Sequence, residues 1–351
     1  MNGQKRIAIA AVFILIVVIV GVVIAGHKPG VAISQRYIVP TTFDSSAAFG
    51  PNTLVTSNGQ AIISYNYVTG QVQSLSQSNG PENLSAIISL SASSDHKYVL
   101  FHLQNVLASS TLGAKLTTAG LNPAEDHWWI LNTNTHSLVP LPDPVTLAVI
   151  SGDTVYGLVY DNNGIYMNTY NSDTAKRMNS ISVPAATNFA VLHTGYLLQT
   201  AAGNIVLTKD GIVSTQIYKK ANLVGVSPDQ QSMFITVANN SLVSLLQVRL
   251  SDSTPTTIAD SVVGVPVMNG DTVLYGTAGD QSSVKNNTDL HTYNMATGKT
   301  LVLNFAGNIA PKAGTDPAPI SLVGNSTLIY SDTSAKYYLA GNNLHTLPSG
   351  L

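Results

Sequence analysis

The sequence contains no cysteine, and this absence removes several kinds of chemistry at once. The chain has no disulfide framework, no cysteine-ligated zinc or iron–sulfur site and no cysteine for lipid attachment. Packing alone must therefore hold the fold together. This is feasible at 351 residues, because a domain of about 300 residues buries about 75% of its unfolded surface.

Charge and catalytic motifs are also scarce. Charged residues make up 10% of the chain and the net charge is −2, so we expect no nucleic-acid partner. The eight histidines are scattered, Glu82 and Glu125 are the only glutamates, and Asp161–Gly164 fits a polar turn better than a calcium loop. Nucleophile-elbow, phosphate-loop and dinucleotide motifs are missing. We therefore expect no cofactor and no metal, and no motif assigns a catalytic residue.

One long hydrophobic run stands out against this polar background. Ile7–Ala25 has no charged or hydrogen-bonding side chain and would extend about 28 Å as a helix, close to the thickness of a bilayer core. We predict a single transmembrane helix at 7–25, with residues 1–6 in the cytoplasm because Lys5 and Arg6 precede it, and a linker at 26–42. The alternative is a cleaved signal peptide and a secreted product, although this run is longer than the apolar region of usual signal peptides, about 7–15 residues.

The remaining residues, 43–351, show short β-rich runs instead of helical periodicity, and we expect no helix there. One order recurs seven times: an apolar strand, a turn, a second strand and a closing hairpin. This repetition predicts an all-β, seven-bladed β-propeller of four-stranded blades, with a propeller of six or eight blades and a pair of β-sandwiches as the alternatives. The seven first strands are predicted at Phe43–Phe49, Ala86–Ala92, Thr146–Ile150, Asn188–His193, Asn222–Val226, Gly264–Met268 and Pro319–Val323.

Two of these turns carry a recognisable signature. Ser227-Pro228-Asp229 and Ser93-Ser94-Asp95-His96-Lys97-Tyr98 resemble the Ser-Pro-Asp-Gly-Lys-Tyr repeats of TolB-like propellers, a WD40-like group of seven-bladed repeat proteins. Similar repeats occur in the propellers of prolyl-oligopeptidase-type peptidases. The resemblance implies how a blade is built and does not imply an activity. Since no α/β-hydrolase domain follows, we do not expect peptidase activity.

The lengths of the connections indicate which face is used for contact. The long segments, Ser76–Ser85, Leu103–Asp126, Ala278–Asp289 and Phe305–Ala318, all fall on one predicted face, and long loops on a rigid scaffold are commonly functional. We expect Val106–Asn122 to be removable without loss of stability. The candidate binding residues on this face are Lys115, Glu125, Asp126, His127, Trp128, Asp280, Lys285, Asp289, Lys312 and Asp316.

Near Glu125, the adjacent Trp128 and Trp129 are the only tryptophans. They suggest either an aromatic platform for a ligand or ordinary strand packing. Because neighbouring strand residues point to opposite faces, we expect Trp129 to be structural and leave Trp128 open.

These observations lead to one functional expectation and two alternatives. We expect a membrane-anchored, extracytoplasmic propeller that binds or scaffolds an envelope or surface partner, either protein or glycan, without catalysis, while Ile7–Ala25 contacts the lipid bilayer. The first alternative is a propeller hydrolase or lactonase with its site at the channel mouth. The second is a sensor or regulatory subunit of a membrane complex.

Overall fold

The computed structural model divides the chain into two compact units, Met1–Arg36 and Tyr37–Leu351. All described residues belong to the second unit, and the predicted membrane helix and linker lie outside them. Within the described part, no helix is long and apolar enough to cross a membrane. The structure describes residues 46–50, 52–57, 61–66, 68–76, 87–104, 106–209, 212–239, 242–278, 288–305, 318–323, 326–330, 336–340 and 343–346.

The strands pair in chain order into four-stranded antiparallel sheets, which we call blades 1 to 6. Blade 1 contains β1(Ser46–Ala48), β2(Thr53–Ser57), β3(Ile62–Asn66) and β4(Val72–Ser74), and blade 2 contains β5(Ile87–Ala92), β6(Tyr98–Leu103), β7(His127–Asn132) and β8(Ser137–Pro140). Blade 3 contains β9(Val145–Ser151), β10(Thr154–Asp161), β11(Gly164–Asn171) and β12(Arg177–Ser182), and blade 4 contains β13(Asn188–Leu192), β14(Gly195–Gln199), β15(Ile205–Lys209) and β16(Ile212–Tyr218). Blade 5 contains β17(Ala221–Val226), β18(Ser232–Asn239), β19(Leu242–Arg249) and β20(Pro255–Ala259), and blade 6 contains β21(Val262–Asn269), β22(Thr272–Ala278), β23(Thr288–Asn294) and β24(Lys299–Val302).

The last sheet departs from this pattern. It has five strands, in the order β25(Asn304–Phe305), β29(Asn343–Thr346), β28(Lys336–Ala340), β27(Ser326–Tyr330) and β26(Ala318–Val323). β25 pairs with β29 in parallel, whereas the other pairs in this sheet are antiparallel. The described structure therefore has six regular four-stranded blades, and the prediction of seven such blades is corrected.

The sheets are arranged around an axis rather than stacked in two layers. Neighbouring sheets contact each other through their first strands: β1 contacts β5, β5 contacts β9, and β17 contacts both β13 and β21. β26 contacts β21 on one side and β1 on the other. This arrangement is a β-propeller, and the β-sandwich alternative is wrong.

The core lies between successive blades. Each blade buries apolar side chains on both faces, so that one cluster joins blades 2 and 3 through Tyr98, Leu100, Val155 and Val159. Similar clusters join blades 1 and 2, 3 and 4, 4 and 5, and 5 and 6. A single four-stranded sheet cannot cover two apolar faces alone, so the stability of each blade depends on its neighbours.

One helix interrupts the all-β pattern of the described residues. α1(Thr111–Thr118) lies in the segment between β6 and β7, where no helix was predicted. The Oγ of Ser110 caps it by accepting a hydrogen bond from the backbone N of Gly113 at 3.0 Å, which satisfies one of the free N–H groups at a helix start. Helix formation in so short a segment depends on tertiary packing.

Candidate functional site

The two faces of the propeller differ in the length of their connections. The first-to-second and third-to-fourth strand turns form the trimmed face, and none exceeds five residues. The second-to-third turns and the connections between sheets form the elaborated face. Its long segments are 75–86, 104–126, 279–287 and 306–317. The second of these is almost fully described.

The 104–126 segment is packed onto the propeller on its inner side. Leu112 and Leu116 of α1 are buried, Leu116 at 0% exposure, and Val106 joins them in the cluster that contains Phe101 and Trp129. Gly113 lets α1 lie close to the backbone that precedes it in the same segment, because a Cβ there would lie 2.2 Å from the carbonyl O of Leu107. The expectation that Val106–Asn122 is removable without loss of stability is therefore inconsistent with the structure.

The polar candidates of this segment lie on its outer side. Lys115 is exposed, and its Nζ donates to the carbonyl O of Leu138 at 3.0 Å. Glu125 Oε1 accepts from Asn122 Nδ2 at 3.1 Å, and Asp126 Oδ2 accepts from Gln104 Nε2 at 3.0 Å. Both carboxylates are exposed, so this part of the segment presents negative charge to solvent.

The two other candidates of the segment are interior residues. His127 is buried, and its Nε2 lies 2.7 Å from the carbonyl O of Asn122. Trp128 is 4% exposed and stacks on His102 at 4.7 Å between ring centroids. Burial lowers the pKa of His102, and the charge of Asp126 opposes that shift. Trp129 is also buried, so the described structure holds no exposed tryptophan platform.

The remaining predicted residues are less fully described. Asp289 lies in β23, where its Cα pairs with that of Thr277. Asp280, Lys285, Lys312 and Asp316 lie outside the described residues. Their participation in binding stays a prediction.

A pocket that the sequence analysis did not anticipate lies on blade 3. Its cavity volume is about 130 Å³. Two of its residues belong to the connection between β8 and β9 and one to the end of β10, so the elaborated face contributes to it, and outer strand β12 contributes another wall. We call this cavity the Asp143 pocket. Its lining is Asp143, Pro144, Val159, Asp161, Tyr166, Asn168, Arg177 and Ser180.

Asp143 is the centre of a polar network in this pocket. Its Oδ2 accepts from Tyr170 OH at 2.7 Å and from Asn168 Nδ2 at 3.0 Å. Arg177 Nη1 lies 3.3 Å from its Oδ1, with the aspartate side chain 19% exposed and the arginine side chain 53% exposed. Because the arginine is half in solvent, this ion pair alone contributes little to stability.

A glycine makes room for this network. A Cβ on Gly157 would lie 2.9 Å from Val145 Cγ1 and 3.0 Å from a ring carbon of Tyr170, so only glycine fits without displacing one of them.

Burial of Tyr170 raises the pKa of its hydroxyl, and the hydrogen bond to Asp143 raises it further. Tyr170 therefore stays protonated and keeps donating to the carboxylate.

Asn168 leaves one hydrogen-bonding atom unused. The residue is 2% exposed, and its Oδ1 finds no partner in the described part of the chain. The amide cannot simply be flipped, because its Nδ2 faces the carboxylate of Asp143, which only accepts hydrogen bonds. An unsatisfied buried acceptor is costly, so a hydrogen-bond donor that reached Oδ1 would stabilise this arrangement.

Sequence reasoning missed this pocket because its residues carry no motif. Asp143, Asn168 and Arg177 come from a connection and two different strands, and only the pairing of β11 with β12 brings them together. The nearby Asp161 was interpreted as a polar turn residue, and its Oδ1 accepts from the backbone N of Asn163 and Gly164. In the described residues, no group of three or more His, Asp or Glu is placed to hold a metal ion.

Comparison with known proteins adds the fold and no more. No protein-family model and no curated protein sequence matches this chain. Among solved structures, acylaminoacyl peptidase from Pyrococcus horikoshii matches with a TM-score of 0.53 at 10% identity, over 88% of this chain and 52% of that chain. An acylaminoacyl peptidase in complex with Z-Gly-Gly-Phe-chloromethyl ketone matches with a TM-score of 0.52 at 10% identity, over 85% and 50%. TolB from Acinetobacter baumannii is also similar, with a TM-score of 0.42 at 11% identity, over 87% and 78%.

The chain spans about half the length of the two peptidases that it matches. At this level of identity the likeness shows a shared β-propeller fold alone. A propeller hosts many unrelated functions, so the function must be argued from the faces and pockets of this chain.

Proposed function

We propose that this protein is a membrane-anchored, extracytoplasmic propeller that binds a protein or glycan of the cell envelope or surface through its elaborated face, without catalysis. The observation that carries the proposal is the one-sided distribution of connections. Every trimmed-face turn has five residues or fewer, whereas the elaborated face includes a 23-residue segment with its own helix. Binding residues concentrate on long loops that a rigid scaffold positions.

Ile7–Ala25 would act as the anchor in this proposal. Its apolar length supports a membrane span, and the cations before it support a cytoplasmic N-terminus. Alkaline extraction of membranes from the source organism tests this part: an anchored chain stays in the membrane pellet. Release of a shortened chain that lacks residues 1–25 would instead support a cleaved signal peptide.

The five-stranded sheet would close the ring that the six regular blades form. Its strand β26 contacts both β21 of blade 6 and β1 of blade 1, which is the position of a sheet that closes the ring. A closed ring holds the elaborated-face connections in fixed positions, as a binding surface requires.

Substitutions on the outer side of α1 test the binding role. Ala114 and Thr118 are exposed, so A114R/T118R adds two bulky cations without entering the core. After crosslinking in intact envelopes, we expect about tenfold less partner to be recovered with this variant than with the parent chain, as loss of a central contact would cause.

The matched control places an arginine on the other face of the same blade. Ser94 is an exposed residue of the trimmed face, and we expect S94R to capture the partner at the normal level. Equal capture by both variants, with unchanged melting temperatures, would contradict binding through α1.

A further inference from the structure

We propose that the Asp143 pocket binds a single sugar ring, as the terminal residue of a glycan would present it. The inference rests on the proposed binding role of the elaborated face and names the ligand class for one site on it. Three features of the pocket carry the argument: an unused buried acceptor, side chains of both charges, and an apolar wall. The pocket size then limits the ligand.

The unused acceptor demands a ligand that donates hydrogen bonds. Asn168 Oδ1 is buried and without a partner, and Asp143 fixes its orientation through the 3.0 Å bond from Asn168 Nδ2. Because this atom has almost no accessible surface, a ligand hydroxyl or ammonium group would satisfy it only by displacing part of the cavity wall. A carboxylate or phosphate would not, because it would add another acceptor.

The charges around the cavity favour hydroxyl groups over an ammonium ion. Asp143 and Asp161 supply acceptors, whereas the half-exposed Arg177 supplies several N–H donors. A hydroxyl group both donates and accepts hydrogen bonds, so a polyol can bond to the carboxylates and to the guanidinium group alike. An ammonium ion only donates, and it would meet the positive charge of Arg177.

The size and apolar part of the lining favour a ring. Pro144, Val159 and Tyr166 contribute carbon surface to the same cavity, which suits the C–H face of a pyranose. The volume of about 130 Å³ is close to the roughly 150 Å³ cavity that holds one benzene molecule. One six-membered ring therefore fits, and a second ring would extend into solvent.

The test uses the full chain in a detergent whose head group contains no sugar. Methyl pyranosides of glucose, galactose, mannose and N-acetylglucosamine are the probes, observed by saturation-transfer NMR and titration. We expect at least one to bind with a dissociation constant of about 1 mM, a usual affinity for so small a ligand. Methylammonium chloride is the competing probe.

Two pairs of variants localise the binding. Ser180 and Asn179 are adjacent, exposed residues of β12 that point to opposite faces. S180F fills the cavity and should abolish binding, whereas N179F adds the same ring elsewhere and should not. R177M removes a lining cation and should weaken binding about tenfold, whereas K176M removes the neighbouring exposed cation and should have no effect.

Each other outcome overturns the inference. If no pyranoside binds up to about ten times that concentration, the pocket holds water only. If methylammonium binds instead, the pocket is a site for organic cations, and if S180F binds the pyranosides as tightly as the parent chain does, the sugar lies elsewhere. A114R/T118R should bind the pyranosides normally, so failure of this inference is distinguishable from failure of the binding role proposed for α1.

Discussion

The trimmed face and the elaborated face are built by different means. On the trimmed face, one local device recurs: an asparagine at the end of a third strand accepts two backbone N–H bonds through its Oδ1. The residues that do so are Asn66, Asn132 and Asn171. On the elaborated face, the segment with α1 and the Asp143 pocket each occur in a single blade of the described structure.

The difference indicates how the chain separates scaffold from function. A device that depends on three or four neighbouring residues is copied with its blade, and it holds the strands in register. A site that depends on several strands arises in one place only. We therefore expect substitutions on the trimmed face to affect stability alone. On the elaborated face, we expect substitutions of buried residues to affect stability and substitutions of exposed residues to affect binding.

The largest effect on stability is expected where a segment of the elaborated face contributes side chains to the core. L116A removes a fully buried side chain from the cluster around Phe101 and Trp129 and should lower the free energy of unfolding by about 2–5 kcal/mol. Thermal or urea unfolding measures this. T117A, next to it on the exposed side of α1, should stay within about 0.5 kcal/mol of the parent. A similar, small effect of both would show that α1 does not belong to the fold.

A smaller loss of stability is expected when one of the asparagine-capped turns of the trimmed face is disrupted. N132A removes the acceptor for Asn134 N and Thr135 N and the 2.8 Å bond from Asn132 Nδ2 to Asp173 Oδ1 of blade 3. Loss of a buried partner of this kind costs about 1–3 kcal/mol, measured by urea unfolding, while partner capture should not change.

The matched control lies in the same turn. Asn134 is exposed, so N134A should leave both the free energy of unfolding and partner capture at the parent level. If N132A reduced capture while the fold kept its stability, the trimmed face would have a binding role and the comparison of the two faces would fail.

The same distinction explains what the sequence reveals. The first strands were predicted close to their observed positions, for example Thr146–Ile150 inside β9(Val145–Ser151), because alternation and turn chemistry are local signals. The order of strands within each regular blade follows from the same signals. The long segments of the elaborated face were located correctly for the same reason.

Non-local features were not predictable in this way. α1 has only eight residues, and its Leu112 and Leu116 are stabilised by contacts that the fold supplies. The extra strand of the last sheet pairs Asn304 with Asn343, far along the chain. Similarly, nothing near Asn168 in the sequence indicates that Asp143 and Arg177 surround it.

The smallest effect concerns two copies of a second trimmed-face device. Ser93 Oγ donates to Asp95 Oδ1 at 2.6 Å, and Lys97 N donates to the same atom at 3.1 Å. In blade 5, Ser227 Oγ and Gln231 N donate to Asp229 Oδ1 at 2.6 and 3.0 Å. In both copies the hydroxyl bond is the main cause that lowers the pKa of the aspartate, and the backbone bond adds to it.

The direction of these pKa shifts fixes the sign of the pH dependence. Because folding favours the charged carboxylates, their contribution to stability is complete above the unfolded aspartate pKa of about 3.9. It is lost as the pH falls through the lower folded pKa. D95N and D229N should each melt slightly below the parent at pH 6, by similar amounts, and the difference should shrink as the pH drops below about 4. A difference that persists or widens in acid would mean that the two aspartates do not act through their charge, and unequal losses would mean that the two copies are not equivalent parts of the scaffold.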